Sequence, residues 1–426
     1  MNRNLIVIED KSIENLEPIS STRTSLELQF GAFKYYEQLK NDIKFDNVAL
    51  FGRNHLMEIT KNKIKELIIK KVDFEGDILV INSQLNLNNE KIQKLLKNKE
   101  RFIAKTGKQL VCARIQSSIM KDIENDNSFK FIKDISDIKK YSNKQLEKNT
   151  LINYPWDYIK ESGKAINNQY KQIIKKNITA KNIKSYSDND CISVSKKAKI
   201  IDKDKTYFDS SEGPVIIDDR AIIEPFTYIK GPVYIGKETK VNGARIYQNT
   251  IIGRNCNIGG EVQESIIFDY TNKSHEGYIG HSIIGSWVNL GARTTNSDLK
   301  NTYGKIKINI GNRKINSNEI KFGCIIGDNS KTSIGSLILT GVKIGVCGQL
   351  FGNAIDDIPA FTFYSNDKKK NLLEFDINKA IKTQARMMKR RKIKQNSFDR
   401  KLLREIHNNT IEQRKKKRVK VGNMKI

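Results

Sequence analysis

Cysteine is scarce in this 426-residue sequence, which contains five widely scattered cysteines. No two of them form a Cys-x-x-Cys pair, so neither a disulfide framework nor a structural zinc site is expected. No apolar run approaches the ~18–20 residues needed to cross a membrane, and the four apolar residues 5–8 (LIVI) are too few for a signal peptide. These absences favour the reducing cytoplasm and a chain without a membrane span.

Acidic residues are outnumbered: 48 Asp and Glu stand against 76 Lys and Arg, giving a formal net charge of +28. Residues 367–426 hold 21 Lys and Arg against 6 Asp and Glu, which is more than half of the excess. This charge indicates attraction to nucleic acid, an anionic membrane surface or phosphorylated small molecules. Lys, Ile and Asn are also abundant in chains encoded by AT-rich DNA, an alternative source of the excess that requires no function.

Short apolar segments divide the first 150 residues. Residues 5–8, Asn47–Phe51, Asp77–Asn82 and 109–113 each have the length and composition of a buried strand. Helix-like patterns occupy residues 25–39 and 62–69 between them. The alternation predicts an α/β domain over residues 1–150. Residues 151–210 are interpreted as a linker with one helix at about residues 157–175.

The clearest pattern in the sequence is a repeat of aliphatic residues at intervals of six. Ile217, Ile223, Ile229 and Ile235 follow this spacing, and further Ile-Gly steps continue it to about residue 351. Period six fits neither an amphipathic helix nor an alternating strand. It predicts a left-handed parallel β-helix of hexapeptide repeats over residues 211–360. Breaks at about 268–277 and 300–321 are expected to form loops projecting from the solenoid.

Residues 361–426 form a basic tail in which the apolar spacing predicts two amphipathic helices, one starting near residue 378 and one near residue 397. Residues 414–420 (RKKKRVK) are so highly charged that we expect them to be disordered. Phe398 is the only aromatic residue after Phe375, which counts against recognition of single-stranded RNA by base stacking.

Histidine is also rare, with only four in the chain, and His275 is the one whose position indicates chemistry. It lies where the first predicted break rejoins the repeats, close to Tyr278. A histidine of near-neutral pKa can take the proton from an amine or hydroxyl as it attacks a thioester. Nearby backbone N–H groups can stabilise the oxyanion that forms on the acyl carbon. His275 is therefore a candidate general base, with an inert surface histidine as the alternative.

Residues 275–292, HEGYIGHSIIGSWVNLGA, resemble the acetyltransferase motif of the GlmU family. Members of that family are bifunctional N-acetylglucosamine-1-phosphate uridylyltransferases and glucosamine-1-phosphate acetyltransferases. The resemblance implies that His275 is the general base and that Tyr278 and Asn289 contact the sugar phosphate. It also implies that Arg245, in a preceding coil, binds the phosphate.

The same resemblance implies a groove for acetyl-CoA near Ala292 and Arg293. Arg293 stands where the family motif has a glycine, so its cation is expected to narrow this groove or to contact the phosphates of CoA. Left-handed β-helices that resemble this one assemble as parallel trimers with acyl-CoA sites between subunits. A homotrimer is therefore expected.

Shorter segments spread along the chain resemble a branch of GlmU-like sugar nucleotidyltransferases, for example residues 16–28, 154–157 and 231–236. Sugar nucleotidyltransferases carry a Gly-rich loop after the first strand, whose N–H groups bind the nucleotide phosphates. This sequence has no glycine before Gly31. Arg23 is the candidate replacement for phosphate binding, and Asp10 the candidate ligand of Mg²⁺. Whether this domain catalyses transfer from UTP or another NTP, or only binds or stabilises, stays open.

Three functional hypotheses follow. The preferred one is a sugar-phosphate transferase of nucleotide-sugar synthesis that N-acetylates a hexosamine 1-phosphate with acetyl-CoA, joined or not by nucleotidyl transfer. The second is a sugar nucleotidyltransferase whose β-helix only oligomerises. The third is a non-catalytic trimeric scaffold whose basic tail binds a polyanion such as nucleic acid, with a strongly salt-dependent affinity.

Overall fold

The structure is a computed structural model that describes residues 3–69, 74–120, 135, 138, 140–174, 178–179, 191–366 and 371–422. The chain divides into two compact units. The first contains Met1–Leu16 and Arg23–Glu161, and the second contains Glu17–Thr22 and Ser162–Ile426. Part of the predicted linker, 175–177 and 180–190, lies outside the described residues.

The first unit is built on a seven-stranded mixed sheet. Its strands, in spatial order, are Leu67–Ile68, Asn47–Phe51, Asn4–Ile8, Asp77–Asn82, Gln109–Gln116, Phe102–Thr106 and Ser142–Gln145. The first four are parallel to one another. Gln109–Gln116 is antiparallel to both of its neighbours, and Ser142–Gln145 is parallel to Phe102–Thr106. The four strands predicted from apolar runs are all present, because segments buried on both faces of a sheet are continuously apolar.

The helices of the first unit alternate with strands of this sheet along the chain. They are Tyr35–Asp42, Asn54–Lys63, Glu90–Lys97 and the N-terminal part of Pro155–Ile174, with short 3₁₀ turns at Lys11–Leu16, Ser25–Glu27, Ser117–Met120 and Lys148–Thr150. The turn Ser20–Thr22 belongs to the second unit. The helix expected near residues 157–175 is confirmed by Pro155–Ile174, although Lys175 lies outside the described residues.

Two helices expected in the first unit are wrong. Residues 25–39 instead begin with a 3₁₀ turn and the hairpin Gln29–Phe30 with Phe33–Lys34, and only then enter a helix. Gly31 has φ of 64°, which suits the tight turn of this hairpin. Residues 62–69 fail for another reason: Leu67–Ile68 pairs with the strand Asn47–Phe51, so tertiary pairing overrides local helical preference.

The second unit contains a parallel β-helix with three faces. Strands of the first face are Ile192–Val194, Val215–Ile217, Val233–Ile235, Thr250–Ile252, Ile266–Ile267, Ile283–Ile284, Ile325–Ile326 and Lys343–Ile344. The second face contains Lys199–Ile200, Ile222–Ile223, Asn272–Lys273, Lys331–Thr332, Gln349–Phe351 and Thr362–Ser365. The third contains Thr206–Asp209, Thr227–Lys230, Tyr278–Gly280, Thr295–Asn296, Leu337–Ile338 and Asn353–Ala354. Strands Lys240–Ile246 and Asn257–Gln263 bend at glycines of positive φ and contribute to both the second and third faces.

Stacked aliphatic side chains fill the interior of the β-helix, which confirms the predicted fold. Ile217, Ile235 and Ile252 occupy one position in successive coils and are fully buried. Burying each such side chain contributes roughly 1.5–3 kcal/mol, so the ladder stabilises this unit at every coil. Its regularity gives a rigid support for side chains on the outer faces.

The β-helix departs from the predicted boundaries at two places. Parallel pairing begins with Ile192–Val194, inside the segment 151–210 interpreted as a linker, because this first coil lacks the Ile-Gly steps of the later ones. The expected loop at 268–277 is wrong, since Asn272–Lys273 continues the second face beside Asn257 and Ile258. The second interruption is confirmed: Lys307–Ile310 and Arg313–Asn316 form an antiparallel hairpin.

The C-terminal segment folds back as helices Ile377–Arg390, Ser397–Asn409 and Ile411–Lys416, after a strand Asn371–Glu374 that pairs with Thr362–Ser365. The expected disorder of residues 414–420 is wrong. Arg414 is buried, lies over the ring of Phe361 and pairs with Glu374 at 3.2 Å. A guanidinium can pack in this way because its partner carboxylate and an aromatic face replace the lost water.

Within the described residues, no helix is both long enough and apolar enough to span a bilayer.

Candidate active site on the β-helix

His275 lies at the corner between the second and third faces of the β-helix, between strands Asn272–Lys273 and Tyr278–Gly280. It is exposed to solvent, so its imidazole can meet a substrate. Its backbone carbonyl accepts a hydrogen bond of 3.1 Å from Nζ of Lys273. The sequence-predicted base is thus an accessible side chain on an anchored backbone.

Lys273 is a buried lysine that sequence reasoning missed. Only 2% of its surface is exposed, and Nζ also donates to the carbonyl of Gly259 at 2.6 Å in the preceding coil. Burial lowers the pKa of Lys273 to about 8, although Glu276 and Glu261 oppose this effect. The ammonium fills the space beside Gly260, where a β-carbon would approach it to 2.8 Å. Lys273 therefore ties the backbone of the His275 corner to the coil before it.

Tyr278 is half-buried on the third face, and its hydroxyl donates a hydrogen bond of 2.7 Å to Oδ2 of Asp298. Burial, followed by the hydrogen bond to Asp298 and its charge, raises the pKa of Tyr278 well above its usual value, so the phenol is protonated. Gly280 makes this conformation available: a β-carbon there would overlap the Tyr278 hydroxyl oxygen.

Asp298 and His281 form a buried pair beside Tyr278. His281 Nδ1 lies 2.7 Å from Oδ2 of Asp298, and Nε2 lies 3.5 Å from Oε1 of Glu264. Burial alone would lower the pKa of His281, but the hydrogen bonds and charges of Asp298 and Glu264 raise it to about 9. For Asp298, burial acts to raise the pKa, but the hydrogen bonds to His281 and Tyr278 outweigh this effect and lower it. At neutral pH the pair is an imidazolium and a carboxylate.

Tyr278, His281, Asp298 and Glu264 are defined as the acid–imidazole cluster, and of these four residues only Tyr278 was predicted from the sequence. The sequence spacing could have indicated the contact between His281 and Asp298. These two residues are 17 positions apart, and Asn272 and Asn289, which pair between neighbouring coils, have the same separation. Residues one coil apart are neighbours in a solenoid.

Asn289 belongs to a column of asparagines on the second face. Asn257 Nδ2 donates to Asn272 Oδ1 at 3.1 Å, and Asn272 Nδ2 donates to Asn289 Oδ1 at 2.8 Å. Ser274, next to His275, donates from Oγ to Asn272 Oδ1 at 2.7 Å. The structure therefore places Asn289 one coil away from the strand that leads into His275.

Arg245 is exposed on the third face and forms a 3.3 Å ion pair with Glu261. Parallel pairing aligns Arg245 with Glu261 and Glu261 with Tyr278, so the three residues occupy one row in successive coils. The predicted phosphate-binding and sugar-binding residues are thus two coils apart on one surface.

Ala292 and Arg293 lie at the same corner as His275, in the following coil. The Arg293 N–H donates to the carbonyl of Glu276 at 2.8 Å, and the Ala292 carbonyl accepts from the N–H of Gly335. Arg293 is exposed and has φ of 62°, a left-handed conformation that favours glycine. His275, Tyr278, Asn289, Ala292 and Arg293 therefore lie within one coil of one another, whereas Arg245 lies two coils before Tyr278.

In the first unit, the end of strand Asn4–Ile8 holds an internal carboxylate. Glu9 is buried and accepts bonds from the Ser25 N–H at 2.7 Å and from Nε and Nη2 of Arg53, both at 3.0 Å. Burial would raise the pKa of Glu9, but the charge and hydrogen bonds of Arg53 and Ser25 lower it. The Ser25 N–H and the Arg53 guanidinium, which could otherwise bind a nucleotide phosphate at this strand end, are thus already bonded to the Glu9 carboxylate.

Asp10 is equally engaged. Its Oδ2 accepts hydrogen bonds from Asn82 at 2.8 Å and Gln109 at 2.9 Å, and its Oδ1 accepts from the backbone and hydroxyl of Ser12. No three His, Cys, Asp or Glu side chains converge on a metal position within the described ranges. Because protein hydrogen bonds engage both carboxylate oxygens of Asp10, this residue does not fit a resident Mg²⁺, which needs free oxygen ligands in octahedral geometry.

Arg23, the other candidate nucleotide ligand, is buried, and its backbone carbonyl accepts from Arg53 Nη2 at 3.0 Å. Arg53 binds both Glu9 and the Arg23 carbonyl, so Arg23 lies near the end of strand Asn4–Ile8. Its side chain is packed in the protein and not exposed to solvent.

Comparison with known proteins supports the nucleotidyltransferase and GlmU resemblance. Residues 5–178 match the family model described as sugar nucleotidyl transferase. The chain is 37% identical over 147 residues to a bifunctional sugar-1-phosphate nucleotidylyltransferase/acetyltransferase of Sulfurisphaera tokodaii, covering 34% of this chain and 37% of that protein. It is 33% identical over 147 residues to the bifunctional protein GlmU of Methanococcus aeolicus, covering 34% and 36%. The alignments thus span about one third of these relatives.

Solved structures also match the chain, at low similarity. An N-acyltransferase from Bacillus cereus, in complex with dTDP and coenzyme A, has a TM-score of 0.18 at 16% identity and covers 52% of this chain and 96% of that one. LpxA from Acinetobacter baumannii has a TM-score of 0.16 at 14% identity, with 54% and 93% covered. TM-scores this low do not bear on function. The resemblance predicted from the motifs is confirmed by the sequence matches: residues 5–178 match the sugar nucleotidyl transferase family, and part of the chain is similar to bifunctional GlmU proteins.

Proposed function

We propose that this chain is a GlmU-like transferase whose β-helix moves an acetyl group from acetyl-CoA to the amine of a hexosamine 1-phosphate. The observation that carries the proposal is the exposed imidazole of His275 on a corner anchored by Lys273, with Tyr278 on the adjoining strand. The name of the Sulfurisphaera tokodaii relative, which combines nucleotidylyltransferase and acetyltransferase, supports the same assignment.

In the proposed reaction, the amine nitrogen attacks the carbonyl carbon of the acetyl thioester, and His275 takes the proton that the nitrogen loses. The carbon–sulfur bond then breaks, and the thiol of CoA leaves with a proton. The products are an N-acetylhexosamine 1-phosphate and free CoA. We assign Arg245, Tyr278 and Asn289 to the sugar phosphate, and Ala292 and Arg293 to acetyl-CoA.

The compartment we propose is the cytoplasm, where acetyl-CoA is made available to biosynthetic enzymes. All five cysteines are free thiols, and four of them are buried. Free buried cysteines are typical of proteins in a reducing compartment.

The test of acetyl transfer is direct. Purified protein is incubated with acetyl-CoA and glucosamine 1-phosphate, and both free thiol and the mass of the sugar product are followed. A product heavier by one acetyl group, formed together with an equal amount of thiol, is the expected result. Absence of product across a panel of amino-sugar phosphates would contradict the proposal.

Nucleotidyl transfer by the first unit is the second candidate function, favoured by the family match over residues 5–178. Glu9 occupies the donors at the strand end, and Asp10 is saturated by protein donors, so a nucleotide would have to displace these contacts. The test is release of pyrophosphate from UTP or another NTP with N-acetylglucosamine 1-phosphate, without acetyl-CoA. Release of pyrophosphate would support nucleotidyl transfer. No release with any of the four nucleotides would leave acetyl transfer as the only proposed activity.

A homotrimer is also proposed, because one face of the β-helix exposes large aliphatic side chains. Leu337 is 46% exposed, Leu339 47% and Ile355 53%; Leu337 lies in a paired strand of the third face, and the other two directly follow paired strands. Exposed aliphatic clusters of this kind commonly mark protein interfaces. Light scattering after gel filtration should give three times the chain mass, and Leu339→Lys should lower it. A wild-type monomer would contradict the trimer.

A scaffold that binds a polyanion is the alternative to enzymatic function. Helix Ile377–Arg390 buries Ala380, Ile381 and Met388 and exposes Lys382, Arg386, Lys389 and Arg390. Its cations are therefore held on a folded surface. Affinity for single-stranded RNA or DNA that falls steeply with salt, together with no transferase activity, would favour the scaffold. Absence of binding at low salt would remove it.

A further inference from the structure

The single proton of the Tyr278 hydroxyl is already committed within the protein. A phenol has one O–H donor and retains lone pairs that can accept. The donor is used on Asp298 Oδ2 at 2.7 Å, and the same carboxylate oxygen lies 2.7 Å from His281 Nδ1. His281 is buried, with 8% of its surface exposed. Tyr278 thus presents its oxygen, and not its proton, to any further partner.

We propose that Asp298 and His281 are positioning residues that make Tyr278 a hydrogen-bond acceptor, so that Tyr278 recognises an amine or hydroxyl of the acceptor sugar and not its phosphate. This inference rests on the proposed acetyl transfer and refines it. Phosphate oxygens are acceptors at neutral pH and need a donor, whereas a sugar ammonium or hydroxyl supplies one.

The charges around Tyr278 favour the same partner. Asp298 and Glu264 carry two negative charges, and the His281 imidazolium compensates one of them. Lys321 and Glu261 also face this cluster: Lys321 acts on Asp298, and Glu261 acts on Tyr278. Gln263 contributes a neutral amide oxygen 3.4 Å from the hydroxyl. The charge nearest to the hydroxyl is the carboxylate of Asp298, which would repel a phosphate in contact with Tyr278 and attract an ammonium group.

This arrangement separates two tasks on the third face. Arg245, two coils before Tyr278, supplies an exposed cation for the phosphate, and its present partner is Glu261. Tyr278 lies next to the His275 corner, where the amine has to lose its proton. Recognition of the amine beside the proposed base, and of the phosphate farther along the face, follows from these positions.

The arrangement depends on Gly280, which provides an independent variant. A β-carbon at Gly280 would overlap the Tyr278 hydroxyl, so Gly280→Ala displaces the ring without changing any charge. Tyr278→Phe removes the hydroxyl and leaves the ring. Tyr278→Phe should remove the acceptor oxygen and Gly280→Ala should displace it, and only Gly280→Ala disturbs the packing.

Binding without acetyl-CoA tests the recognition step apart from turnover. Calorimetry compares glucosamine 1-phosphate with glucosamine, which lacks the phosphate. Tyr278→Phe and Gly280→Ala should weaken both ligands by the same factor, about 3- to 10-fold for the loss of one hydrogen bond. Weakened binding of glucosamine 1-phosphate with unchanged binding of glucosamine would assign Tyr278 to the phosphate and overturn the inference. No measurable binding of glucosamine by the wild type would also overturn it.

A second measurement tests the positioning pair without any ligand. In NMR titrations the imidazole of His281 should titrate near pH 9, and in Asp298→Asn it should titrate at lower pH because a charged partner is lost. Titration of wild-type His281 near its ordinary value of about 6.5 would contradict the pair. Failure of acetyl transfer with these binding and titration results intact would instead contradict the proposed function alone.

Discussion

Nζ of Lys273 lies 3.1 Å from the backbone oxygen of His275, and it is a buried ammonium group that holds an exposed imidazole in place. Both residues belong to a corner of a rigid solenoid, and Lys273 is also bonded to the preceding coil. The proposed base is therefore positioned through its backbone, leaving the ring free to meet a substrate.

Lys273→Met should lower kcat for acetyl transfer by roughly 10- to 100-fold, since methionine fills a similar volume and donates no hydrogen bond to hold the corner. The KM for the sugar should change much less. Because burial already disfavours the charged lysine, the variant should keep a melting temperature near that of the wild type. An unchanged kcat in a folded variant would show that this clamp has no catalytic role.

The same lysine predicts a pH dependence of stability. Its pKa is about 8 in the folded chain and about 10.4 when unfolded, so the unfolded state binds more protons between these values. The free energy of unfolding should therefore gain a rising contribution between about pH 8 and 10 that is missing in Lys273→Met. Denaturant titrations of both proteins across this range measure the difference. Parallel curves would contradict the buried position of the ammonium.

His281 should change the free energy of unfolding with pH in the opposite direction to Lys273. Its pKa is raised to about 9, so the folded state binds more protons than the unfolded state between about pH 6.5 and 9. The stabilising contribution is fully present below about pH 6.5 and is lost as the pH rises through about 9. It amounts to at most about 3 kcal/mol for a shift of this size. His281→Gln should remove this falling contribution, and a variant with the wild-type pH dependence would refute the assignment.

Arg53→Met should destabilise the first unit by about 3–5 kcal/mol, because it leaves the buried carboxylate of Glu9 without its cation. Adding Glu9→Gln to this variant removes the uncompensated charge and should restore much of the loss. Chemical denaturation of the single and double variants gives the comparison. Equal stability of the two would mean that the Glu9–Arg53 pair is not coupled as the distances indicate.

Arg414→Ala should loosen the C-terminal helices, since Arg414 and His407 both bind Glu374 and Arg414 covers the ring of Phe361. A loss of about 1–3 kcal/mol is expected for this contact. Limited proteolysis should then cut the C-terminal segment faster than in the wild type, with exposed Lys415→Ala as the matched control. Identical cleavage of wild type and Arg414→Ala would place the anchor elsewhere.

Much of the fold followed from the sequence because its signals are local. The strands Asn47–Phe51 and Asp77–Asn82 have the predicted bounds, and the spacing of six predicted the β-helix. The failures depend on distant partners. Leu67–Ile68 is a strand because of its neighbour in the sheet, and Arg414 packs because Glu374 lies 40 residues earlier.

The candidate site divides in the same way. His275, Tyr278 and Asn289 could be proposed from the sequence because they occur in one continuous motif. Lys273 was missed, although it lies two residues from His275, because a lysine in a polar segment looks solvated and only its contact with Gly259 in the preceding coil explains its burial.

The central claim is that His275 takes the proton of the attacking amine. Its most direct test compares kcat for CoA thiol release by the wild type and His275→Ala, with saturating acetyl-CoA and glucosamine 1-phosphate. His55→Ala, altered in the other unit, is the control. We predict a loss of ~10²–10⁴-fold for His275→Ala and no loss for His55→Ala. Equal rates for the wild type and His275→Ala would contradict the role of His275.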